Sequence, residues 1–465
     1  MTTSTRPAAR TYGPRAACRF EYRPGAFMAV GARLRAFRLP VSIFLIMLGA
    51  GAAYAQTPPP IDLAKARAYF AEDKAVSDKD GGRLWGVKLY GATFFVDPES
   101  RFVVANEPDP DGVLHADGDL YVGVLPQSVI VSNAPVEWEG KRWTMLMWPY
   151  IPEDTNVRRV MFAHESFHRV QPALQLMAPD TPNLHLDTVE GRLWMQLEWR
   201  ALAAALVENG EAQTRAIGDA LLFRTHRRAL FPGAREIEDG LEIAEGIPEY
   251  TGTVVGEPDL ASARWRTIGR LTDPDQTATF VRFFAYISGP PYGMLLDERL
   301  PGWRAKLTAG SDLGDLLAST LHGPAPAPVE ARAAIYGVAA LRILEVARAA
   351  KADAEKARWR ALLVDGPILI LPAAGNFAFS FNPSTLISLG DAGTVYPTFH
   401  VVSGWGTLDV KEGVLAPTDF SRATVAAPAD TRGPHVVGPG WTLDLAPGWS
   451  IAPGPKAGSY TVQKK

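Results

Sequence analysis

The stretch His164-Glu165-Ser166-Phe167-His168 decides how the fold of this chain is interpreted. In a helix, two histidines four residues apart leave the same face, so both imidazoles can bind one zinc ion while the glutamate faces a metal-bound water. Chance produces this HExxH pattern in on the order of one in a hundred chains of this composition. The alternative, a pair of core histidines with hydrogen-bonded neighbours, leaves Glu165 unexplained. The pattern therefore predicts a zinc-binding helix.

Residues around the pentapeptide have the period of an amphipathic helix. Val157, Val160 and Met161 lie at positions i, i+3 and i+4, and His164 and His168 follow at i+7 and i+11. The histidines thus continue the inward, apolar face of the helix. Side chains that can cap the helix precede it and a proline follows it: Asp154, Thr155, Asn156 and Pro172.

Composition and charge indicate a globular, acidic protein. The chain has 465 residues, of which 47% are hydrophobic and 21% charged, values that suit two or three domains. Residues 1–55 contain eight arginines, one glutamate and the only cysteine, Cys18, so the rest of the chain has a formal charge of −10 against −3 for the whole. An acidic chain without a basic cluster binds nucleic acid poorly, which argues against a nucleic-acid partner.

The N-terminal region has the pattern of an export signal. Three arginines precede the apolar run 41–48, and small residues lead to Ala55, so we expect residues 1–55 to be an N-terminal extension and signal peptide cleaved after Ala55. A start at Met28 would give this signal a normal length. The apolar run is short for a membrane span, although an uncleaved anchor is the alternative. The mature protein is therefore expected to be periplasmic or secreted, without a stable membrane span.

Changes in the hydrophobic period divide the remaining chain into three parts and predict an α+β fold. Residues 56–153 begin with a helix from Ile61 to about Asp78 and continue as a β-rich portion. Residues 154–365 have helical patterns, and residues 366–465 have short strand patterns typical of a C-terminal β-sandwich. The expected strands are 86–90, 92–96, 101–105, 120–124, 128–131, 142–148, 367–371, 377–381, 398–402 and 407–410.

Further helices are expected after the HExxH helix. Asp187 and Glu190 have the spacing of a capping box for a helix that Asn209-Gly210 would end. The other helical patterns cover 211–230, 235–244 and an alanine-rich stretch, 328–363.

A zinc ion in a catalytic site usually has three protein ligands and one open position, so one ligand is still needed. Gln171 stands where the longer HExxHxxGxxH motif has its glycine, which excludes that arrangement. A glutamate from another helix is the natural substitute. Glu245 is the preferred candidate. The other candidates are Glu198, which can instead orient an imidazole, Glu190, which the capping box explains, and Glu249.

Two downstream segments carry a resemblance to a known family. Glu245-Gly246-Ile247-Pro248-Glu249-Tyr250 resembles the E-G-x-x-x-Y segment that supplies the third zinc ligand in gluzincins, the metallopeptidases with HExxH plus a glutamate, particularly their aminopeptidase-like branches. Tyr286-Ile287-Ser288-Gly289 resembles their Y-x-x-G segment, followed by an apolar helix start at 294–296. Since proline suits only the first turn of a helix, Pro248 fits the ligand helix if that helix begins near Glu245.

This resemblance covers roughly residues 155–300 and implies a zincin-like catalytic domain. It implies one zinc ion per chain bound by His164, His168 and Glu245, with Glu165 as general base. Tyr286 would stabilise the oxyanion, and Tyr292 is its rival for that role.

The expected function is that of an exported zinc metallopeptidase acting on a peptide or protein. One alternative is a zincin scaffold that serves as a non-catalytic binding or assembly protein. Another is a zinc hydrolase of non-peptide amides or esters, because zinc-water chemistry does not choose the acyl group. Glu249 or Glu198 would suit the binding of a free amine, as an aminopeptidase needs. The sequence does not distinguish exopeptidase from endopeptidase and assigns no oligomeric state.

Overall fold

The computed structural model of the chain describes residues 60–273, 279–322, 328–374, 378–381, 385–454 and 456–465. They belong to one compact unit, Pro58–Lys465. The expected signal peptide, residues 1–55, lies outside the described residues. None of the described helices is long and apolar enough to cross a membrane.

The N-terminal portion consists of one helix followed by a mixed sheet. Helix α1, Leu63–Asp80, is capped by the Asp62 carboxylate, which accepts from two backbone N–H groups. The strands are β1 (Thr93–Val96), β2 (Phe102–Ala105), β3 (His115–Asp117), β4 (Leu120–Val124), β5 (Ala134–Trp138) and β6 (Lys141–Met147). They lie in the order β3-β4-β2-β1-β6-β5, and β1 with β6 is the parallel pair.

The predictions of strands at 86–90 and 128–131 in this portion are wrong. Their backbone groups bond outside any ladder, to a side chain in the first stretch and within a turn in the second. The N–H of Tyr90 donates to Ser77 Oγ at 2.8 Å. The N–H of Val129 donates to the carbonyl of Pro126 at 3.0 Å, which closes a turn. The strands expected at 92–96, 101–105, 120–124 and 142–148 are confirmed within one or two residues.

The middle of the chain is helical, as expected. Its helices are α2 (Thr155–Val170), α3 (Val189–Val207), α4 (Gly210–Leu230), α5 (Ala234–Leu241), α6 (Ile247–Gly256), α7 (Leu260–Thr272), α8 (Phe283–Arg299), α9 (Leu313–Ala318), α10 (Val329–Ile335) and α11 (Val338–Arg360). A large shared core of α3, α4, α6 and α8 supports α2. The apolar start expected at Met294 lies inside α8, which contains Pro290 and Pro291.

The expected capping box at the start of α3 is wrong. Thr188 caps this helix, since its hydroxyl accepts from the N–H of Gly191 at 3.0 Å. Asp187 belongs to the preceding 3₁₀ turn, and its carboxylate accepts from the hydroxyl of Thr279 at 3.0 Å. The hydroxyl of Thr188 therefore caps α3, in place of the carboxylate of Asp187 that the sequence pattern had indicated.

The C-terminal region is rich in strands, as expected. They are β7 (Ile368–Pro372), β8 (Ala378–Phe381), β9 (Ile387–Ser388), β10 (Thr394–Tyr396), β11 (Phe399–Ser403), β12 (Gly406–Val410), β13 (Val414–Ala416), β14 (Arg422–Ala426), β15 (His435–Gly438), β16 (Trp441–Leu445), β17 (Trp449–Pro453) and β18 (Tyr460–Lys464). One sheet has the order β17-β18-β7-β14-β13-β10-β9 and the other β15-β16-β12-β11-β8. Side chains of both sheets meet in one buried cluster that includes Leu371, Val401 and Leu443.

Candidate metal centre

Helix α2 directs His164 and His168 away from solvent. The Asp154 carboxylate caps the helix by accepting from the backbone N–H groups of Asn156 and Val157, at 3.0 and 2.9 Å. The inward face then carries both histidines, and His164 is 4% exposed. The predicted helix, its cap and its inward histidines are therefore present.

Glu245 lies in a π-helical turn, Glu242–Gly246, which joins α5 to α6. The N–H of Ile247 donates to the carbonyl of Glu242, five residues back. Pro248 follows in the first turn of α6. Pro248 therefore has the first-turn position that proline requires, because α6 begins two residues after Glu245. Glu245 itself lies before α6, in a π turn that continues from α5.

Glycines at helix contacts bring the ligand-bearing elements together. A Cβ on Gly252 of α6 would lie 2.6 Å from the carbonyl oxygen of Val160 in α2. A Cβ on Gly289 of α8 would overlap the carbonyl of Gly246 in the π turn. Gly246 and Gly289 therefore allow α8 to lie directly on the turn that carries Glu245.

Three ligand atoms converge from His164, His168 and Glu245. His168 Nε2 lies 3.1 Å from His164 Nε2 and 3.3 Å from Glu245 Oε2, and His164 Nε2 lies 3.6 Å from the same oxygen. Zinc bonds of about 2.0–2.1 Å in a regular tetrahedron give ligand-to-ligand distances of roughly 3.3–3.4 Å. The three side chains therefore fit a tetrahedral zinc ion with one position left for water.

The other ring nitrogen of each histidine has its own partner. His164 Nδ1 lies 2.9 Å from Glu249 Oε2, and His168 Nδ1 lies 2.9 Å from Gln171 Oε1. With Nδ1 donating, each Nε2 presents its lone pair to the point where Glu245 Oε2 also points. Two imidazole nitrogens and one carboxylate oxygen that face one another in this way could hold a zinc ion.

Carboxylates on both sides of His164 stabilise positive charge at its ring, whether it comes from a proton or from a metal ion. Burial alone would lower the pKa of His164, but hydrogen bonds with the carboxylates of Glu245 and Glu249 raise it to about 10. Burial alone would raise the pKa of Glu249, but the hydrogen bond with His164 and the charge of Arg270 lower it to about 2. Glu249 also forms an ion pair with Arg270, so its carboxylate is fully engaged.

Glu165 has a buried carboxylate oxygen, Oε2, without a hydrogen-bond partner among the described residues. Burial raises the pKa of Glu165, against the opposing charges of His164 and His168. A buried polar atom without a partner is costly, so this oxygen requires a polar group beside it. A water next to the three ligand atoms would provide that group.

Tyr286 lies against the same site. Its hydroxyl donates to Glu245 Oε2 at 2.6 Å, and its ring stacks on His164 with centroids 5.4 Å apart. Arg282, the residue directly before α8, donates from Nη2 to Glu245 Oε1 at 3.3 Å. Burial and the charge of Glu245 raise the pKa of Tyr286, so its hydroxyl keeps its proton.

The rival residues lie elsewhere. Glu198 is completely buried, accepts from the Tyr292 hydroxyl at 2.7 Å and forms ion pairs with Arg224 and Arg227. Glu190 accepts from an indole N–H and forms an ion pair with an arginine of α11. Neither glutamate lies with the histidines, and Tyr292 is bound within the same buried charge cluster as Glu198.

Sequence reasoning missed the histidine partners Gln171 and Glu249. Glu249 is one helical turn beyond Glu245, so its position on the same face was a usable signal. Gln171 follows the helix that bears His168, and nothing in the pattern marks it. Comparisons of the chain with protein-family profiles, with curated protein sequences and with solved structures found no match.

Proposed function

We propose that this chain is a zinc-dependent metallopeptidase with a zincin-like catalytic domain. The observation that carries the proposal is the convergence of His164, His168 and Glu245 at tetrahedral spacing beside the unpaired, buried oxygen of Glu165. The order of the HExxH, EGxxxY and YxxG segments along the chain supports the same assignment.

The protein groups have separate roles in this proposal. Zinc, when bound, lowers the pKa of its water and polarises the scissile carbonyl. Glu165 takes the proton from that water through Oε2 and returns it to the leaving amine. Tyr286, whose hydroxyl keeps its proton, donates to the developing oxyanion. Glu249 and Gln171 hold the two imidazoles so that Nε2 faces the reaction site.

The proposed substrate is a peptide or protein. Neither glutamate considered for binding a free amine is free to do so, because Glu249 bonds to His164 and Arg270 and Glu198 bonds within a buried charge cluster. The proposal therefore includes no amine anchor from these two residues.

Replacing Glu165 by Gln tests the mechanism directly. The variant should keep about one zinc per chain, because Glu165 is not a ligand, and should lose peptide hydrolysis, because an amide cannot accept the proton. Zinc content by elemental analysis and cleavage of a peptide library by mass spectrometry check both expectations. Wild-type cleavage should also stop in the presence of a chelator.

Different outcomes of this test point to different functions. Retained hydrolysis in Glu165→Gln would exclude the proposed base. Zinc binding without cleavage of any peptide would favour the non-catalytic scaffold, and cleavage of esters or other amides alone would favour a non-peptide hydrolase.

We infer further that the protein is exported to the periplasm or secreted and that its two C-terminal sheets form a β-sandwich. Positive charge, the apolar run 41–48 and small residues up to Ala55 support export, and the buried cluster shared by the two sheets supports the sandwich. The intact mass of the protein recovered from its host should correspond to a chain beginning at Gln56. A mass that includes residues 41–55 would favour the uncleaved anchor.

A further inference from the structure

Gln171 is a buried amide between the two elements that carry the proposed zinc ligands. It directly follows α2, and it is 3% exposed. Its side chain extends from the end of α2 to the π turn Glu242–Gly246. A buried amide must satisfy both its donors and its acceptor, so each of its contacts has a definite direction.

Backbone carbonyls decide which end of the amide is the nitrogen. Nε2 lies 3.0 Å from the carbonyl oxygen of Leu176 and 3.1 Å from that of Ile243, with that of Ala244 at 3.4 Å. Carbonyl oxygens only accept, so the NH₂ group must face them and Oε1 must face His168.

This orientation selects the tautomer of His168. Oε1 of Gln171 lies 2.9 Å from His168 Nδ1 and can only accept, so Nδ1 carries the hydrogen. Nε2 of His168 then presents its lone pair toward His164 and Glu245, as a zinc ligand must.

The same amide supports the turn that holds Glu245. The carbonyl of Ile243 would bond, in the π pattern, to the N–H of residue 248, but Pro248 has none. The amide of Gln171 donates to this carbonyl in its place. Gln171 therefore holds both His168 and the backbone two residues before Glu245.

We propose that Gln171 is a positioning residue that couples the histidine ligand of α2 to the carboxylate ligand of the π turn through one amide. This inference rests on the proposed zinc site and adds to it a link between two of the three ligands. Gln171 itself touches neither zinc nor substrate.

Zinc affinity of the metal-depleted full-length protein tests this role, measured by competition with a chromophoric zinc chelator. Gln171→Met removes both kinds of hydrogen bond at similar volume and should weaken zinc binding by about 10- to 100-fold, the usual effect of losing a ligand's partner. Gln171→Glu keeps an acceptor for His168 but loses the N–H donors to Leu176 and to the π turn, so its affinity should lie between those of Gln171→Met and the wild type. Gln175→Met makes the same change at an exposed position and should bind zinc as the wild type does.

A second measurement needs no variant. Long-range ¹H–¹⁵N correlation spectra of the histidine rings in the metal-depleted wild type should show the neutral ring of His168 protonated at Nδ1 and not at Nε2. Wild-type zinc affinity in both Gln171 variants, or a proton on His168 Nε2, would overturn the inference and leave the zinc site intact. Failure of the wild type to bind zinc would instead overturn the proposed function.

Discussion

Two tyrosines of α8 have different partners although only six residues separate them. The hydroxyl of Tyr286 donates to Glu245 beside the histidines, whereas that of Tyr292 donates to Glu198 in the buried charge cluster. Both residues have raised pKa values, first through burial and then through the charge of the partner carboxylate. At the residue scale, their positions therefore favour Tyr286 as the oxyanion donor.

Replacing each tyrosine by phenylalanine separates the two roles. Tyr286→Phe should lower kcat about 100-fold while zinc stays bound, because it removes one donor to the oxyanion. Tyr292→Phe should keep kcat per folded molecule and lower the free energy of unfolding by about 1–3 kcal/mol, since Glu198 loses one hydrogen bond. Steady-state kinetics and urea unfolding of both variants check this. A full kcat in Tyr286→Phe would contradict the assigned role.

At the residue scale, the candidate site was predictable where its residues lie at fixed spacing within one short segment of the chain. His164, Glu165 and His168 are predicted by one pentapeptide, and Glu245 and Tyr286 by short segments with glycines at fixed offsets. Gln171 was not predictable, because its role depends on carbonyls more than seventy residues away, at Ile243 and Ala244.

At the scale of elements, the contact between α8 and the π turn determines where Glu245 lies. Gly289 and Gly246 meet backbone to backbone, and a Cβ on Gly289 would overlap the carbonyl of Gly246. Gly246 directly follows Glu245, and Gly289 lies three residues after Tyr286, so the contact is close to both side chains. The glycines permit the approach, and the approach brings the two functional side chains together.

Gly289→Ala should displace α8 from the π turn. The added methyl would overlap the carbonyl of Gly246, and overpacking of this kind costs about 1–3 kcal/mol. Zinc affinity should therefore fall together with the melting temperature. Gly269→Ala is the matched control, since its methyl in α7 would meet no atom within 4 Å and a helical Gly→Ala change stabilises by about 0.5–1 kcal/mol. Zinc titration and thermal unfolding measure both variants, and unchanged zinc affinity in Gly289→Ala would refute the role of the contact.

Helices and strands were predictable where the hydrophobic pattern continues over many residues. They were less predictable where the backbone forms local hydrogen bonds in place of those to a neighbouring strand. The helix at 211–230 and the strand at 120–124 have clear periods and are present. The helical stretch 328–363 is also present, but Gly337 divides it into α10 and α11. The apolar stretch 86–90 has a strand pattern but bonds to side chains of α1 and α2. Hydrophobic periodicity indicates which face of a segment is apolar, but it does not indicate which groups the backbone will hydrogen-bond to.

At the scale of the whole molecule, a buried charge cluster joins α3, α4 and α5 behind the π turn. Arg227 is completely buried between Glu198 and Glu238. Arg224 binds both carboxylate oxygens of Glu242, at 2.8 and 2.5 Å. Sequence patterns did not predict this cluster, because charged residues at helical spacing are typical of a solvated face.

Arg227→Met should destabilise the whole protein by about 3–5 kcal/mol, because it leaves two buried carboxylates without their common cation. Arg215→Met is the matched control, since Arg215 lies in the same helix and its pair with Glu211 is exposed, so the change should stay within about 0.5 kcal/mol. Urea unfolding measures both. Equal stability of the two variants would show that the cluster does not hold the helices together.

The most direct test of the proposed metal centre is a crystal structure of the zinc-loaded protein with diffraction recorded at the zinc absorption edge. The anomalous map should contain one strong peak about 2.0–2.2 Å from His164 Nε2, His168 Nε2 and Glu245 Oε2, with a fourth, non-protein ligand near Glu165. A peak that lies elsewhere, or one bound by the histidines without Glu245, would contradict the proposed centre.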